Sequence, residues 1–369
     1  MKVLQLIPIL NNGGAERFVC EFSNELRRSF DVQCDIALMY GDEEFSNNLK
    51  SSLDGIECWS MHKKPGFSLS YLFSLCKLIR KNGYDVVHAH LNCITYLLLS
   101  AFVLRDVKFI ATIHSDARFE APGFIDKLVR KILFRSRRVI PVTISEESNK
   151  SFVEYYNLNA RIIYNGLSRF KLPEISDVSI RKSNEDLIFI HPASCQPVKN
   201  QKLLLSVFKR ITRTHKNVRL YWFGSNEANR ELFDEMTAYF SDNIRYMGCV
   251  NNLRDYLYQA DAMCLSSLIE GMPMVIIESF SVGCIPLVTP AGGCVNMIED
   301  GYNGFVSGGF DENSYYEMIE RFIALSLKEK ERMSENSSLS FKTYDISECV
   351  KSYLDVYECT DNRTKYENS

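Results

Sequence analysis

The chain has 369 residues, 46% hydrophobic and 24% charged, with a net charge of −3. That length suggests two or three domains, and the composition is that of a globular protein rather than a disordered or fibrous one. A net charge so near zero gives no electrostatic ground for nucleic acid as a partner. No run of about 20 apolar residues occurs, so no transmembrane helix is expected. The opening MKVLQLIPIL meets Asn-Asn-Gly-Gly too soon to serve as a secretion signal. The 12 cysteines form no C-x-x-C pair and no metal-ligand spacing with histidine. They read as reduced, mostly buried thiols of a cytoplasmic protein. Charge is unevenly spread. Residues 1–170 hold 22 Lys and Arg against 18 Asp and Glu, while the remainder holds 21 against 28.

In chain order, 2–10 reads as a buried strand. Asn11-Asn12-Gly13-Gly14 follows, and then a helical pattern from Ala15 to about Ser29. A glycine turn between strand and helix lets backbone approach an anion. No G-x-G-x-x-G occurs there, so this is not a dinucleotide fingerprint. Further strands are expected near 32–39, 56–60, 86–89, 109–113 and 139–142, with helical patterns between them. The alternation predicts an α/β fold: a parallel sheet with helices on both faces. Ligands of such sheets bind beyond the carboxyl ends of the strands. His88 and His90 close DVVHAH and His114 closes FIATIH, so these strands present histidine at that edge.

The stretch from Phe124 to Arg138 has an apolar stripe of Leu128, Val129, Ile132 and Leu133. Its cations are Lys127, Arg130, Lys131, Arg135, Arg137 and Arg138. A basic amphipathic helix of this kind suits an anionic membrane surface, and equally an ordinary helix packed on the sheet. Ser145 reads as a helix start. A last strand is expected over 161–165, with a turn at Asn165-Gly166. The polar, proline-containing stretch 171–185 is the expected linker. The domains then fall at 1–170 and 186–344, with a helix and tail over 345–369, and the cleft between domains is the expected active site.

The second half restarts with a strand over 187–193. Strand 218–223 ends at Gly224-Ser225. Strand 244–247 leads into Gly248-Cys249-Val250, where Gly248 and Val250 are candidates for the nucleotide base. Residues 262–267 form a short apolar strand and Glu270-Gly271-Met272 a loop. Pro273 suits the first helical position. Val275, Ile276, Ser279 and Phe280 follow at helical spacing, and Gly283 stands where a left-handed cap is needed. Strand 285–289 and Gly292-Gly293 complete the unit. A helix N-terminus of this kind suits phosphate. Glu270 repels phosphate but accepts hydrogen bonds from hydroxyls, as does Glu278 within the helix. Sugar hydroxyls at both ends of a diphosphate would satisfy the set, which describes a nucleotide sugar.

The frame of Glu270, seven residues and Glu278, with Gly271, Met272 and Pro273 between, then Gly283, Pro286 and Gly-Gly, resembles the retaining glycosyltransferases of family 4. The resemblance implies a GT-B fold, two Rossmann-like domains facing a deep cleft. It implies Glu270 on the sugar, Glu278 on the ribose and Lys199, in Lys199-Asn200, on the donor diphosphate. GGAER resembles the family's opening loop, which makes Gly13, Gly14, Glu16 and Arg17 the residues facing diphosphate and acceptor. His114, in its Thr-Ile-His context, is implied near the transferred sugar, with His90 as a weaker candidate. Ser194 stands where the family carries arginine, and Asn296 where it more often has glutamate. The helix from 345 would cross back onto the first domain. The reaction implied is retaining transfer of a hexose or N-acetylhexosamine, expected from a UDP-linked donor, to a glycan or lipid-linked acceptor in surface polysaccharide synthesis. No Asp-x-Asp occurs, so no metal and no cofactor are expected. The alternatives are a sugar-nucleotide 2-epimerase of the same fold and a non-catalytic partner subunit, the latter favoured by Ser194.

Overall fold

The computed structural model describes residues 1–11, 13–41, 52–171, 180, 183 and 185–359. Asn12, most of the expected linker and the tail beyond 359 lie outside them. Two compact units emerge. One comprises Met1–Ser168 together with the chain from Tyr344 onward, and the other comprises Arg169–Thr343.

The first unit is built on strands β1 (Lys2–Ile7), β2 (Gln33–Leu38), β3 (Cys58–Ser60), β4 (Val86–His90), β5 (Lys108–Ile113), β6 (Val139–Thr143) and β7 (Arg161–Ile162). Their order is β3-β2-β1-β4-β5-β6-β7, every pair parallel. The order reverses between β1 and β4, and such a switch point is where doubly wound sheets place ligands. The inner strands β1, β2, β4, β5 and β6 are buried on both faces, as the continuous apolar runs require, while the edge strands β3 and β7 are partly exposed. One face carries helices α1 (Gly14–Phe30) and, from the end of the chain, Ile346–Glu358. The other carries α2 (Leu69–Asn82), α3 (Leu98–Val103), α4 (Phe124–Arg135) and α5 (Glu146–Tyr156).

The second unit repeats the plan with β8 (Leu187–Pro192), β9 (Val218–Phe223), β10 (Ile244–Gly248), β11 (Ala262–Leu265), β12 (Ile285–Val288) and β13 (Phe305–Val306). The order is β10-β9-β8-β11-β12-β13, again all parallel, with the reversal between β8 and β11. Its helices include α6 (Gln201–Thr214), α7 (Met274–Val282), α8 (Glu312–Ala324) and α9 (Leu327–Ser340). The last helix of the chain, α10, is the Ile346–Glu358 element of the first unit.

Most expected elements recur with ends shifted by a few residues. Three differences stand out. The strand expected over 161–165 is only Arg161–Ile162, because Asn165 and Gly166 turn toward the start of α10. A Cβ at Gly166 would lie 2.6 Å from the Ile346 backbone, so glycine is needed for that approach. Pro273 is the N-cap of α7 rather than its first residue, with an extended ψ of 110°. Proline fixes φ alone, and its φ is common to both positions. The basic stretch 124–138 is helical only to Arg135, and Arg137 is left-handed at φ 56°.

Candidate active site

In the second unit the site forms beyond the carboxyl ends of β8 and β11. After β8 the chain makes one 3-10 turn, Pro197–Lys199, and Asn200 takes a left-handed conformation before α6 begins. This turn is tied to the loop after β11. Leu268 N–H donates to Val198 O at 2.8 Å and Ser266 Oγ donates to Lys199 O at 2.9 Å. The result brings Lys199 Nζ to 2.7 Å from Glu270 Oε1, and Ser267 Oγ donates to the same oxygen at 2.6 Å. Charge-assisted bonds of this length, in a partly buried setting, hold both side chains in place.

The loop holding Glu270 is itself clamped by glycines. Gly293 N–H donates to Glu270 O at 3.1 Å. A Cβ at Gly293 would fall 1.7 Å from Gly271 O, and one at Gly292 would fall 2.0 Å from Glu270 O. The pair after β12 is therefore glycine because backbone passes over backbone. Pro273, as N-cap, offers no side-chain oxygen to α7, so a cap does not consume the orphan N–H groups of the first turn. Met272 packs inward and Glu278 is buried on α7. Gly283 ends the helix at φ 74°. Gly248, at φ 73°, closes β10 and its carbonyl accepts from Gly224 N–H at 2.9 Å, so β9 and β10 end together beside Val250. Ser194 Oγ accepts from Gln196 Nε2 at 3.2 Å, so a hydroxyl–amide pair stands where a cation was expected.

In the first unit Gly13 is the N-cap of α1 and Gly14 its first residue. The Glu16 carboxylate folds back over the cap, where a Gly13 Cβ would stand 2.2 Å from Glu16 Oε2. Burial pushes the Glu16 carboxyl upward. Arg17 follows in the same turn and its N–H donates to Gly13 O. His90 and His114 are in contact, His90 Nδ1 lying 2.9 Å from His114 Nε2. Burial holds His114 down at about 3 and His90 well below the ordinary histidine value, so both are neutral.

Two matching features divide the chain. A model described as Glycosyltransferase Family 4 matches residues 12–169, and one described as Glycosyl transferases group 1 matches residues 174–339. The chain belongs to glycosyltransferase family 4. Among curated relatives, a capsular polysaccharide biosynthesis glycosyltransferase, CapH, of Staphylococcus aureus is 26% identical, over 97% of this chain and 98% of its own length. An α-1,4-N-acetyl-D-galactosaminyltransferase of Campylobacter jejuni, which acts on an undecaprenol-linked saccharide, is 25% identical over 96% of this chain and 97% of its own. The solved structure of Anabaena Alr3699/HepE in complex with UDP and glucose superposes with a TM-score of 0.77, 18% identity, 96% of this chain and 99% of that one. The fold is GT-B, and the chain is a glycosyltransferase.

Several residues of the transferase's two units were not legible in the sequence. Glu120 Oε1 accepts from the backbone N–H of His114 at 2.6 Å and of Ser115 at 2.9 Å, fixing the loop after β5. Arg130, only 1% exposed, faces Glu120 Oε2 at 3.6 Å and donates to the carbonyls of Leu91 and Glu120. Arg130 is thus no surface cation, which corrects its place in the basic stripe. A sequence offers no means of telling it from Lys131 or Arg135. His191, at the end of β8, is buried with Nδ1 2.8 Å from Cys264 O, and burial holds it down at about 4. His88 is enclosed by Tyr357 and Thr112 and belongs to the core. None of the twelve cysteines is in a disulfide, and Cys58, Cys249 and Cys359 are the exposed ones.

Proposed function

We propose that the enzyme transfers a hexose or N-acetylhexosamine from a UDP-linked donor to a hydroxyl of a glycan or lipid-linked saccharide, with retention at the anomeric carbon. The observation that carries the reading is the Lys199–Glu270 pair at the N-terminus of α7, under the Gly292-Gly293 backbone. Lys199 and the first-turn N–H groups would hold the diphosphate. Glu270 would take sugar hydroxyls, and Glu278 the ribose. The C1–O bond to phosphate breaks, a C1–O bond to the acceptor forms, and the acceptor proton passes to the departing phosphate oxygen on the same face. Stabilising that phosphate is the main electrostatic task. The chemistry asks for no metal and no cofactor. UDP is the preferred nucleotide because Alr3699/HepE holds it on the same fold. Surface polysaccharide is the preferred product class because the relatives act in capsule and lipid-linked glycan assembly. Ser194 favours a second reading, a subunit without chemistry. Release of nucleotide from a panel of donors separates the two, since such a subunit would turn over none.

We also propose peripheral association with the inner face of the cell membrane. On α4, Phe124 is 80% exposed, Ile125 69%, Leu128 47% and Ile132 45%. Lys131 and Arg135 rise from the same helix, and Lys127 lies 4.0 Å over the Tyr155 ring. Neighbouring α3 adds exposed Phe102 and Val103, and α2 adds Phe73 with Lys77, Arg80 and Lys81 around a cavity of about 390 Å³. Apolar side chains among cations suit an anionic bilayer. No helix among the described residues is long and apolar enough to cross one.

A further inference from the structure

In the first unit β1, β4 and β5 lie side by side, and Gln5, His90 and His114 form a diagonal, each two register positions nearer the carboxyl edge than the one before. His90 Nε2 is 2.8 Å from Gln5 Oε1, and His90 Nδ1 is 2.9 Å from His114 Nε2. The protons follow from the Gln5 end. An amide oxygen only accepts, so His90 Nε2 carries the proton. A neutral imidazole has one proton, so His90 Nδ1 must accept, and His114 Nε2 donates to it. His114 Nδ1 is left as a bare lone pair. That nitrogen is buried and meets no protein partner, an uncommon state for a buried polar atom. The rest of the residue is fixed. Its backbone N–H is held by Glu120, and the Phe18 ring stands edge-on to the imidazole at 5.9 Å. His88, one layer deeper, has both nitrogens engaged, by Tyr357 and by Thr112. The contrast marks His114 Nδ1 as an acceptor kept for something the protein does not supply.

We propose that Gln5 and His90 are positioning residues that lock His114 as its Nε2–H tautomer, so that Nδ1 stays an open acceptor for a hydroxyl of a saccharide substrate. This rests on the transferase reading, which supplies the hydroxyl. The lock depends on one amide. Were Gln5 reversed, with its NH2 toward His90, each proton along the line would change sides, and His114 would present a donor instead. The test uses the full chain with 15N-labelled histidine. A long-range proton–nitrogen correlation reads which ring nitrogen of each histidine carries hydrogen, and His114→Asn assigns the His114 signals. The expected spectrum shows His114 Nδ1 bare and Nε2 protonated. Gln5→Met removes the acceptor at similar volume. It should mix the two tautomers and lower kcat about three- to tenfold, the worth of one neutral hydrogen bond, with donor KM within about twofold. Gln5→Glu restores an oxygen and should recover the wild-type ring signals and most of kcat. A proton on Nδ1 in the wild type overturns the inference, as do ring signals unmoved by Gln5→Met. Mixed tautomers with unchanged kcat overturn the positioning role. The ring signals need no substrate. A wild type inactive on every donor would therefore strike the transferase reading, and with it the hydroxyl, while leaving the tautomer measured.

Discussion

Glycine has two different meanings at the site residues. At Gly13 the nearest atoms to an added Cβ belong to the Glu16 carboxylate, the free end of a flexible side chain. Gly13→Ala should displace that carboxylate and leave the fold intact. At Gly293 the obstacle is the Gly271 carbonyl 1.7 Å away, which is backbone and carries the Glu270 loop with it. Gly293→Ala should destabilise the second unit by about 2–3 kcal/mol, as overpacking does. It should also lower turnover about 100-fold, since a shift of about 1 Å at a positioned group is enough. Urea unfolding and donor turnover check the two effects, and normal activity in Gly293→Ala would refute the clamp. The sequence showed Gly-Gly and the spacing of Glu270 to Glu278. The crossing of the two loops was not visible in it, because residues 271 and 293 approach only once β11 and β12 pair.

At the scale of the element, α4 shows where sequence reading stops. Its charge and apolar content were plain. The helix ends three residues early, and Arg130 leaves the surface to meet Glu120. A buried ion pair is defined by a partner elsewhere, here ten residues upstream at the end of the short helix Ala117–Glu120, and no periodicity announces it. The exposed part of the helix then makes a definite prediction. The protein should float with vesicles containing anionic phospholipid and not with neutral ones. Lys131→Glu and Arg135→Glu together should weaken binding at least tenfold, at about 1 kcal/mol for each cation lost. Equal flotation with neutral vesicles would argue against the charge term, and no flotation at all against the membrane proposal.

The whole molecule has six histidines, and four of them have lowered pKa values: buried His88 and His90 and half-buried His114 in the first unit and buried His191 in the second. A histidine held below its unfolded value near 6.5 supports the fold only while neutral. Its contribution is full above about pH 6.5 and is lost as pH falls, at about 1.4 kcal/mol per pH unit for each group. The histidines taken alone would make the first unit lose stability about three times as steeply as the second between pH 6 and 4.5, and the net loss should remain steeper in the first unit. The raised carboxyls of Glu16 and Glu120 act in the opposite sense. That offset falls between their raised folded-state values and the unfolded value near 4.5, so it narrows the difference between the units within this window and adds no pH dependence below it. The chain has two tryptophans, Trp59 on β3 and Trp222 on β9, one per unit. Fluorescence of Trp222→Phe follows the first unit and that of Trp59→Phe the second. Equal acid slopes would contradict the histidine account.

Strand alternation carried most of the doubly wound architecture in the sequence. The contact of His88, His90 and His114 with one another came only from the pairing of β4 with β5. Action of Lys199 and Glu270 on a nucleotide sugar is decided by nucleotide release from a panel of donors, compared between the wild type and Glu270→Ala. One donor, UDP-linked, should be turned over by the wild type, and the variant should lose about 100-fold or more of that rate, the worth of a positioned polar group at the reacting centre. No donor bound at millimolar concentration, or equal rates for the two proteins, would contradict it.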